Sequence, residues 1–284
     1  MPPFSLLSGL RLLLVGLHLL YGALQAGLLF RLVSAPWRQR LKRTWSRQLL
    51  VLLGIRVESA ADPARIESGL MVANHISFID IFVINALLPS AFVAKSDVAQ
   101  WPLIGWFARH ADTVFIERGS RKAAHCTRQQ MLAALGAGRR LAIFPEGTTT
   151  SGDRVLPFHA ALFQSAIDAA VPVHVLALSY RDAGGARSGA PAYIDEISLI
   201  GCLISVLEAG GLVARVELAA TYHPPLADRR HLAYHARQAV TTALAHAPDA
   251  IPAPRCRDID PRNRRENPLQ DPGQPLRNEA AMRQ

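Results

Sequence analysis

Short apolar runs alternate with segments of helical periodicity through the middle of the sequence, and this alternation constrains the fold most strongly. The runs are rich in Val, Ile, Leu and Phe, which is typical of strands buried in a sheet. They predict strands at residues 70–73, 91–94, 113–117, 141–144, 171–180 and 212–220. Helices are predicted at residues 78–88, 120–137, 158–169 and 226–246. Together these elements indicate an α/β fold with a mixed, largely parallel sheet flanked by helices.

Polar residues follow each of the first four predicted strands. His75 comes after the first, Lys95 after the second, Arg118 after the third, and Glu146 with Gly147 after the fourth. In an open α/β sheet, ligands bind outside the carboxyl ends of the strands. If these strands run parallel, a histidine, two cations and a Glu-Gly turn meet at one edge, which we interpret as a candidate site.

The stretch VANHISFID at residues 72–80 places His75 five residues before Asp80. On a continuous helix, side chains five residues apart point about 140° away from each other, so His75 is expected in the turn before the helix. If Ser77 caps that helix, Asp80 lies in its first turn, where a carboxylate can reach back. Two interpretations stay open: Asp80 orients His75, or it only completes a capping box with Ser77.

A histidine that is held by a carboxylate is typical of general-base catalysis. The sequence contains no G-x-S-x-G stretch, so it predicts no serine nucleophile of that type. The hydroxyl that loses its proton would then belong to the substrate. A metal site is not predicted, because His75 lacks a second histidine or cysteine at ligand spacing.

The segment from Leu12 to Phe30 carries no charge over nineteen residues, and a basic cluster follows it. This cluster consists of Arg31, Arg38, Arg40, Lys42, Arg43, Arg47 and Arg56. A secretory signal would carry its positive charge before the apolar run. Residues 1–56 are therefore predicted to attach the chain to a bilayer, with the rest at the cytoplasmic face of the inner (plasma) membrane. Spanning and embedding both fit, and a buried core helix is the alternative.

The formal net charge of +9 raises nucleic acid as another partner. The basic residues flank an apolar segment, however, and do not interleave with aromatic side chains as in a typical nucleic-acid surface. No nucleic-acid partner is predicted.

The chain divides by composition into three parts. Residues 1–56 form the anchor and its basic flank, and residues 57–250 form the predicted catalytic domain. Residues 251–284 are rich in Pro, Arg, Asn and Asp and predict a disordered tail. Within the domain, the apolar run 198–210 predicts a helix that either packs on the sheet or touches the membrane.

Four sequence blocks occur in order between residues 70 and 180: NHISFID (74–80), VFIERGSR (114–121), FPEGTTTSG (144–152) and VPVHVLALS (171–179). In order and spacing they resemble the blocks of the glycerophospholipid acyltransferases, the family of 1-acyl-glycerol-3-phosphate acyltransferase. AFVAKSDVAQWPLIGWFAR (91–109) also resembles the segment that this family carries between its first two blocks. An H-x-x-x-x-D pair alone is a weak signal, but FPEGT about seventy residues later makes it specific.

The resemblance implies an enzyme that transfers a fatty acyl chain from an acyl thioester to the sn-2 hydroxyl of 1-acyl-glycerol-3-phosphate, giving phosphatidic acid. His75 would deprotonate the acceptor hydroxyl, and Asp80 would orient His75. Acyl-CoA and acyl carrier protein both stay open as the donor. No metal or organic cofactor is expected, because the thioester already carries its leaving group.

A turn and two cations are expected to hold the phosphate of the lysophospholipid acceptor. The candidates are Arg118, Glu146, Gly147, Thr148 and Lys95. Cationic donors and free backbone N–H groups suit a phosphate, and a carboxylate does not. Glu146 is therefore expected to orient Arg118 or a hydroxyl.

The sequence departs from the family pattern after FPEGT. Many members continue with arginine, whereas Thr149, Thr150 and Ser151 follow here, so one expected phosphate contact is absent. This departure keeps a lyso-ornithine lipid, or another lysolipid, as an alternative acceptor. A membrane-binding protein without chemistry is a further alternative, but it would lack His75 or Asp80, and both are present.

Overall fold

The computed structural model of the chain describes residues 6–30, 32–60, 62–63, 66–100, 104–116, 121–194 and 196–246. Within these residues seven strands form one sheet. They are β1 (Ile55–Ser59), β2 (Leu70–Ala73), β3 (Ala91–Lys95), β4 (Val114–Ile116), β5 (Leu141–Ile143), β6 (Val173–Asp182) and β7 (Leu212–Tyr222). The spatial order is β1-β7-β6-β2-β5-β3-β4, and all neighbours are parallel except β6 and β7.

The helices of the described residues flank the sheet. They are α1 (Leu6–Leu28), α2 (Ala35–Leu52), α3 (Asp80–Leu87), α4 (Ile104–His110), α5 (Arg121–Gly136), α6 (Gln164–Asp168), α7 (Leu199–Glu208) and α8 (Arg229–His246). Two 3₁₀ turns, Ser96–Gln100 and Ala160–Phe163, complete the regular structure. The second turn and the short α6 replace the single helix that was predicted at residues 158–169.

The structure confirms the α/β fold and the largely parallel sheet, and each of the six predicted strands is present. The prediction missed β1, because its sequence IRVES mixes charged and apolar residues at an edge of the sheet. The domain boundaries after residues 56 and 250 stay predictions. The tail 251–284 lies outside the described residues.

Side chains of β2 alternate between two apolar cores, one on each face of the sheet. Met71 and Ala73 point into the core that also contains residues of α2, α3 and α7. Leu70 and Val72 point into the core that contains residues of α5, α6 and α8. All four β2 residues are buried, so the carboxyl end of this central strand, where His75 follows, is fixed by packing on both faces.

Three cations of the basic cluster bind backbone carbonyls at or just after the end of α3. Arg47 Nε donates to the Ala86 carbonyl at 2.9 Å, and Arg43 Nη2 donates to the Leu87 carbonyl at 3.1 Å. The buried Lys42 Nζ donates to the Ser90 carbonyl at 2.9 Å. Burial lowers the pKa of Lys42 to about 8. Carbonyls at a helix C-terminus lack partners within the helix and carry partial negative charge, so these contacts attach α2 to α3.

Helices α1 and α2 are joined by His18 and Trp45. Their rings stack with centroids 5.0 Å apart. Trp45 Nε1 donates to the His18 carbonyl at 3.2 Å, and His18 Nε2 lies 3.0 Å from the Trp45 carbonyl oxygen. The Trp45 ring also meets Phe82 of α3 and Phe107 of α4, at centroid distances of 5.6 and 5.7 Å. One indole ring therefore connects four helices.

The opposite face of α1 presents a row of exposed leucines. They are Leu7, Leu10, Leu13, Leu14, Leu17, Leu20, Leu24 and Leu28. Among the described residues, Leu7–Leu28 is the one stretch whose length and apolar composition would allow it to cross a membrane, and 17% of its 18-residue apolar window is buried. That low share fits a membrane-facing helix better than the core helix considered as an alternative.

Helix α7 packs on the sheet, which is one of the two alternatives predicted for residues 198–210. Cys202, Val206 and Leu207 are buried. The exposed large apolar residue of this helix, Ile200, lies on the opposite side. The Ser198 side chain caps the helix by accepting from the Gly201 N–H at 3.0 Å. A membrane contact of α7 would therefore involve Ile200 and not the buried Leu207.

We predict opposite effects for two alanine substitutions in α1. A Cβ at Gly22 would lie 2.3 Å from Trp45 Nε1, whereas a Cβ at Gly16 would meet nothing within 4 Å. Gly16→Ala should raise the free energy of unfolding by about 0.5–1 kcal/mol, as is usual inside a helix. Gly22→Ala should lower it, because Trp45 is held by His18 and cannot move aside. Thermal unfolding in detergent measures both, and equal stabilisation by the two variants would contradict this packing.

Candidate active site

The chain leaves the sheet at Asn74, directly after β2. The Asn74 side chain continues the strand pairing, because its Oδ1 accepts from the Leu178 N–H at 2.8 Å and its Nδ2 donates to the Leu178 carbonyl at 2.9 Å. His75 follows in the turn between β2 and α3, as predicted. Five parallel strands, β2 to β6, thus deliver their carboxyl ends to the edge where His75 lies.

Asp80 holds the turn and the histidine at the same time. Its Oδ2 lies 2.9 Å from His75 Nδ1 and accepts from the N–H groups of Ile76 at 2.7 Å and Ser77 at 3.0 Å. The carboxylate is fully buried. Asp80 therefore contacts both the imidazole of His75 and the Ser77 N–H, but the predicted capping of the helix by Ser77 is wrong, because the residue before the helix is Ile79 and no side chain caps it. The helix starts at Asp80 itself, so the carboxylate reaches back from the first helical residue and not from the third.

The second oxygen of Asp80 is occupied by Tyr180, a residue that the sequence reading missed. The Tyr180 hydroxyl donates to Asp80 Oδ1 at 2.8 Å. Burial raises the pKa of Tyr180 well above its usual value, and the charge of Asp80 adds to this shift. Tyr180 therefore stays a donor. The sequence did offer a sign that Tyr180 has a specific partner. Tyr180 lies at the end of β6 on the same face as Leu176 and Leu178, and a hydroxyl buried on an apolar face needs a hydrogen-bond partner.

The imidazole of His75 is fixed on its face as well as at Nδ1. The ring stacks on Phe144, the residue directly after β5, with centroids 3.9 Å apart and planes 10° from parallel. The exposed fraction of the His75 side chain is 19%. Because Nδ1 is held by Asp80, Nε2 is the ring nitrogen left for a substrate hydroxyl.

Glu146 binds backbone and fixes His75 from a second direction. Its Oε1 accepts from the His75 N–H at 2.8 Å, and its Oε2 accepts from the Leu156 N–H at 2.7 Å. Burial raises the pKa of this carboxyl group, while both backbone hydrogen bonds oppose the shift. The expected contact of Glu146 with Arg118 or a hydroxyl stays a prediction, and Arg118 lies outside the described residues.

The loop after β5 closes over the turn that carries His75. Gly147 has a φ of +72°, which suits glycine at this tight turn. The Thr150 N–H donates to the His75 carbonyl at 2.9 Å. Gly152 also has a positive φ, of +86°, and a Cβ there would lie 3.0 Å from Ile76 Cδ1. The loop and the turn therefore lie in direct contact.

A cavity of about 1640 Å³ opens at His75. Its apolar wall includes Val15, Leu19, Trp45, Leu49, Phe82 and Phe107, which come from α1, α2, α3 and α4. Its polar lining includes Lys95, Gly147, Thr148, Ser151, Arg154 and His159. A cavity with an apolar wall and a polar, cationic end suits an amphiphile such as a lipid with a charged headgroup.

The structure brings together most of the predicted site residues. His75 and Asp80 are in contact, and Gly147, Thr148 and Lys95 line the same cavity as His75, with Thr148 and Lys95 exposed. Arg154 is a further exposed cation on this cavity that the sequence reading did not select. It lies in a polar loop, where sequence alone does not distinguish it from a solvated arginine.

Comparison with known proteins points to one family. Residues 54–179 match a family model described as Acyltransferase. The chain is 39% identical over 209 residues to the lyso-ornithine lipid O-acyltransferase of Pseudomonas aeruginosa, covering 74% of this chain and 80% of that protein. It is 40% identical over 172 residues to the 1-acyl-sn-glycerol-3-phosphate acyltransferase of Neisseria meningitidis serogroup B, covering 60% and 67%.

A solved structure shares the fold. The 1-acyl-sn-glycerophosphate acyltransferase PlsC from Thermotoga maritima aligns with a TM-score of 0.60 at 19% identity, covering 86% of this chain and 99% of that one. At this identity the match supports the fold alone.

We predict that His75→Ala lowers kcat for acyl transfer by about 10² to 10⁴-fold, because a general base is lost. Asp80→Asn should also lower kcat, since Asp80 orients the imidazole. Circular dichroism and thermal unfolding check that each variant is folded. Wild-type kcat in a folded His75→Ala variant would contradict the assignment of the base. If Asp80→Asn lowers only the melting temperature, Asp80 has a capping role alone.

Proposed function

We propose that this chain, which belongs to the acyltransferase family, transfers a fatty acyl chain from an acyl thioester to the sn-2 hydroxyl of 1-acyl-glycerol-3-phosphate, giving phosphatidic acid. The observation that carries the proposal is the His75–Asp80 contact of 2.9 Å at a large cavity whose lining combines an apolar wall with polar and cationic residues. It places an oriented base where an amphiphilic acceptor fits with its chain in the apolar part.

The proposed reaction is a direct transfer. His75 Nε2 removes the proton of the acceptor hydroxyl as its oxygen attacks the thioester carbonyl carbon, forming the new C–O bond. The C–S bond then breaks, and the thiolate leaves with the proton returned by the imidazolium. Asp80 carries a negative charge beside Nδ1 and stabilises the imidazolium that forms in between. Acyl-CoA or acyl carrier protein supplies the acyl group, and the step uses no metal or organic cofactor.

The positive charges of the cavity support a phosphate-bearing acceptor. Lys95 and Arg154 are exposed on its lining, so both can reach an anionic headgroup. Gly147 and Thr148 lie on the same lining. We infer that the headgroup binds at this end and that Arg118 adds a further cation.

A lyso-ornithine lipid is the second candidate acceptor. Its support is the run Thr149-Thr150-Ser151, which stands where many family members carry arginine. The similarity to the Pseudomonas aeruginosa enzyme, named for that substrate, points the same way, as does 36% identity over 193 residues to a lyso-ornithine lipid O-acyltransferase of Rhizobium meliloti.

An assay of the purified protein separates the two acceptors. Lysophosphatidic acid and lyso-ornithine lipid are each offered with acyl-CoA and with acyl carrier protein. We expect phosphatidic acid as the main product. Arg118→Ala should raise KM for lysophosphatidic acid by at least about tenfold and change KM for the donor less, because a charge-assisted contact is lost. Turnover of lyso-ornithine lipid with none of lysophosphatidic acid would overturn the preferred acceptor.

We further propose that the chain acts at the cytoplasmic face of the inner membrane, with α1 embedded along one leaflet. One face of α1 is joined to α2 through His18 and Trp45, so the helix does not stand free of the domain. The other face carries the leucine row, and Val15 and Leu19 of the inner face line the cavity. An embedded α1 would therefore place the apolar wall of the cavity beside the lipid chains.

Liposome flotation tests this orientation. Leu17→Asp combined with Leu24→Asp places two charges on the exposed face of α1 and should abolish flotation with anionic liposomes, because charges are costly in hydrocarbon. Ile200→Asp tests α7 as a second contact. The control is Tyr234→Asp, which changes an exposed large side chain on α8. Full flotation of the α1 double variant would rule out the proposed embedding.

A further inference from the structure

One peptide group beside the site lies between two opposite charges. It is the peptide that joins Val155 to Leu156. Its N–H donates to Glu146 Oε2 at 2.7 Å, and its carbonyl oxygen accepts from Arg237 Nη2 at 2.8 Å and from Arg237 Nε at 3.1 Å. A carboxylate at the N–H end and a guanidinium at the carbonyl end polarise the same peptide, so each hydrogen bond strengthens the other.

We propose that Arg237 is a positioning residue for the general base His75. This proposal rests on the proposed function, in which His75 takes the proton of the acceptor. The connection is continuous: Arg237 fixes the 155–156 peptide, that peptide fixes Glu146, and the other oxygen of Glu146 accepts from the His75 N–H at 2.8 Å. Arg237 touches no reacting atom in this arrangement.

Arg237 lies on helix α8, and this helix is fixed by its packing against the core. Leu232, Ala236 and Val240, on the neighbouring turns of α8, are buried in the core on the α5 and α6 side of the sheet. Val155 is buried in that same core. The Leu156 carbonyl also accepts from Arg237 Nε at 3.1 Å. The loop is therefore fixed to the helix by one apolar side chain and by hydrogen bonds from one guanidinium to two consecutive carbonyls.

The geometry of a peptide explains why a contact to a carbonyl can orient an N–H. A trans peptide is planar, so its C=O and N–H point in opposite directions and turn together. Without Arg237, the 155–156 peptide can rotate and withdraw its N–H from Glu146. A buried carboxylate that loses a donor is costly, and Glu146 would then shift or recruit another donor. The His75 backbone, held by Glu146 Oε1, would lose part of its fixed position.

Arg140 provides a matched control. It is also a partly buried arginine, and its Nη2 donates to a backbone carbonyl, that of Ile66, at 2.7 Å. It directly precedes β5 and therefore lies at the amino edge of the parallel strands, opposite to His75. Arg140→Ala removes a guanidinium–carbonyl contact of the same kind without touching the loop that binds Glu146.

The kinetic test compares these variants in the full-length protein in detergent. We expect Arg237→Ala to lower kcat about tenfold with KM for the acceptor changed by less than about twofold, because a misplaced base affects the chemical step more than binding. Arg237→Lys should restore part of kcat, since an ammonium can bind one of the carbonyls. Arg140→Ala should keep the wild-type kcat per folded molecule. In a Glu146→Gln background, Arg237→Ala should cause little further loss.

A second measurement does not depend on activity. Hydrogen exchange should speed up in peptides that cover residues 72–80 and 150–158 in Arg237→Ala, and should stay at the wild-type rate there in Arg140→Ala. Equal kcat losses in the two alanine variants, or unchanged exchange at residues 72–80, would overturn the positioning role. If the wild type transfers no acyl chain to any lysolipid, the proposed function fails, and the exchange result still decides whether Arg237 holds the His75 turn.

Discussion

The site depends on one buried carboxylate. Removing the charge of Asp80 from water is costly unless donors replace the lost hydration. Four donors do so: the N–H groups of Ile76 and Ser77, the ring of His75 and the hydroxyl of Tyr180. They come from the turn after β2 and from the end of β6, so the charge holds two strand ends and the start of α3 together. The same charge that stabilises the turn also orients the imidazole of His75, the proposed base.

Helix α3 is held at both ends by complementary charge. The acid Asp80 lies at its N-terminus, and Arg43, Arg47 and Lys42 bind carbonyls at or beyond its C-terminus. This arrangement matches the partial charges of a helix, positive at the start and negative at the end. Because the three cations belong to α2, the helix that carries Asp80 is fixed by the segment next to α1. The surface that is proposed to contact lipid and the turn that carries His75 are thus parts of one packed unit.

The features of the fold and site that follow from short local patterns in the sequence could be predicted. Apolar runs marked six of the seven strands, and the polar residues that follow the first four of them marked the edge where His75 and Asp80 meet. Contacts between residues far apart in the chain leave no local pattern in the sequence, so they could not be predicted. Tyr180 lies one hundred residues from its partner Asp80. The basic cluster predicted a membrane surface, yet Arg43 and Arg47 bind carbonyls of α3, because charge composition does not reveal whether a cation meets a lipid or a helix end.

The structure of the loop shows what the residues that follow FPEGT do in place of an arginine. The Thr149 hydroxyl donates to the Tyr193 carbonyl, so its hydrogen is directed at the protein. The Thr150 hydroxyl is also close to backbone, 3.3 Å from the Arg154 carbonyl oxygen. These threonines stabilise the loop and leave the positive charge of this end to residues such as Lys95 and Arg154. The pocket therefore carries positive charge although no arginine follows FPEGT directly, which is compatible with the proposed anionic headgroup.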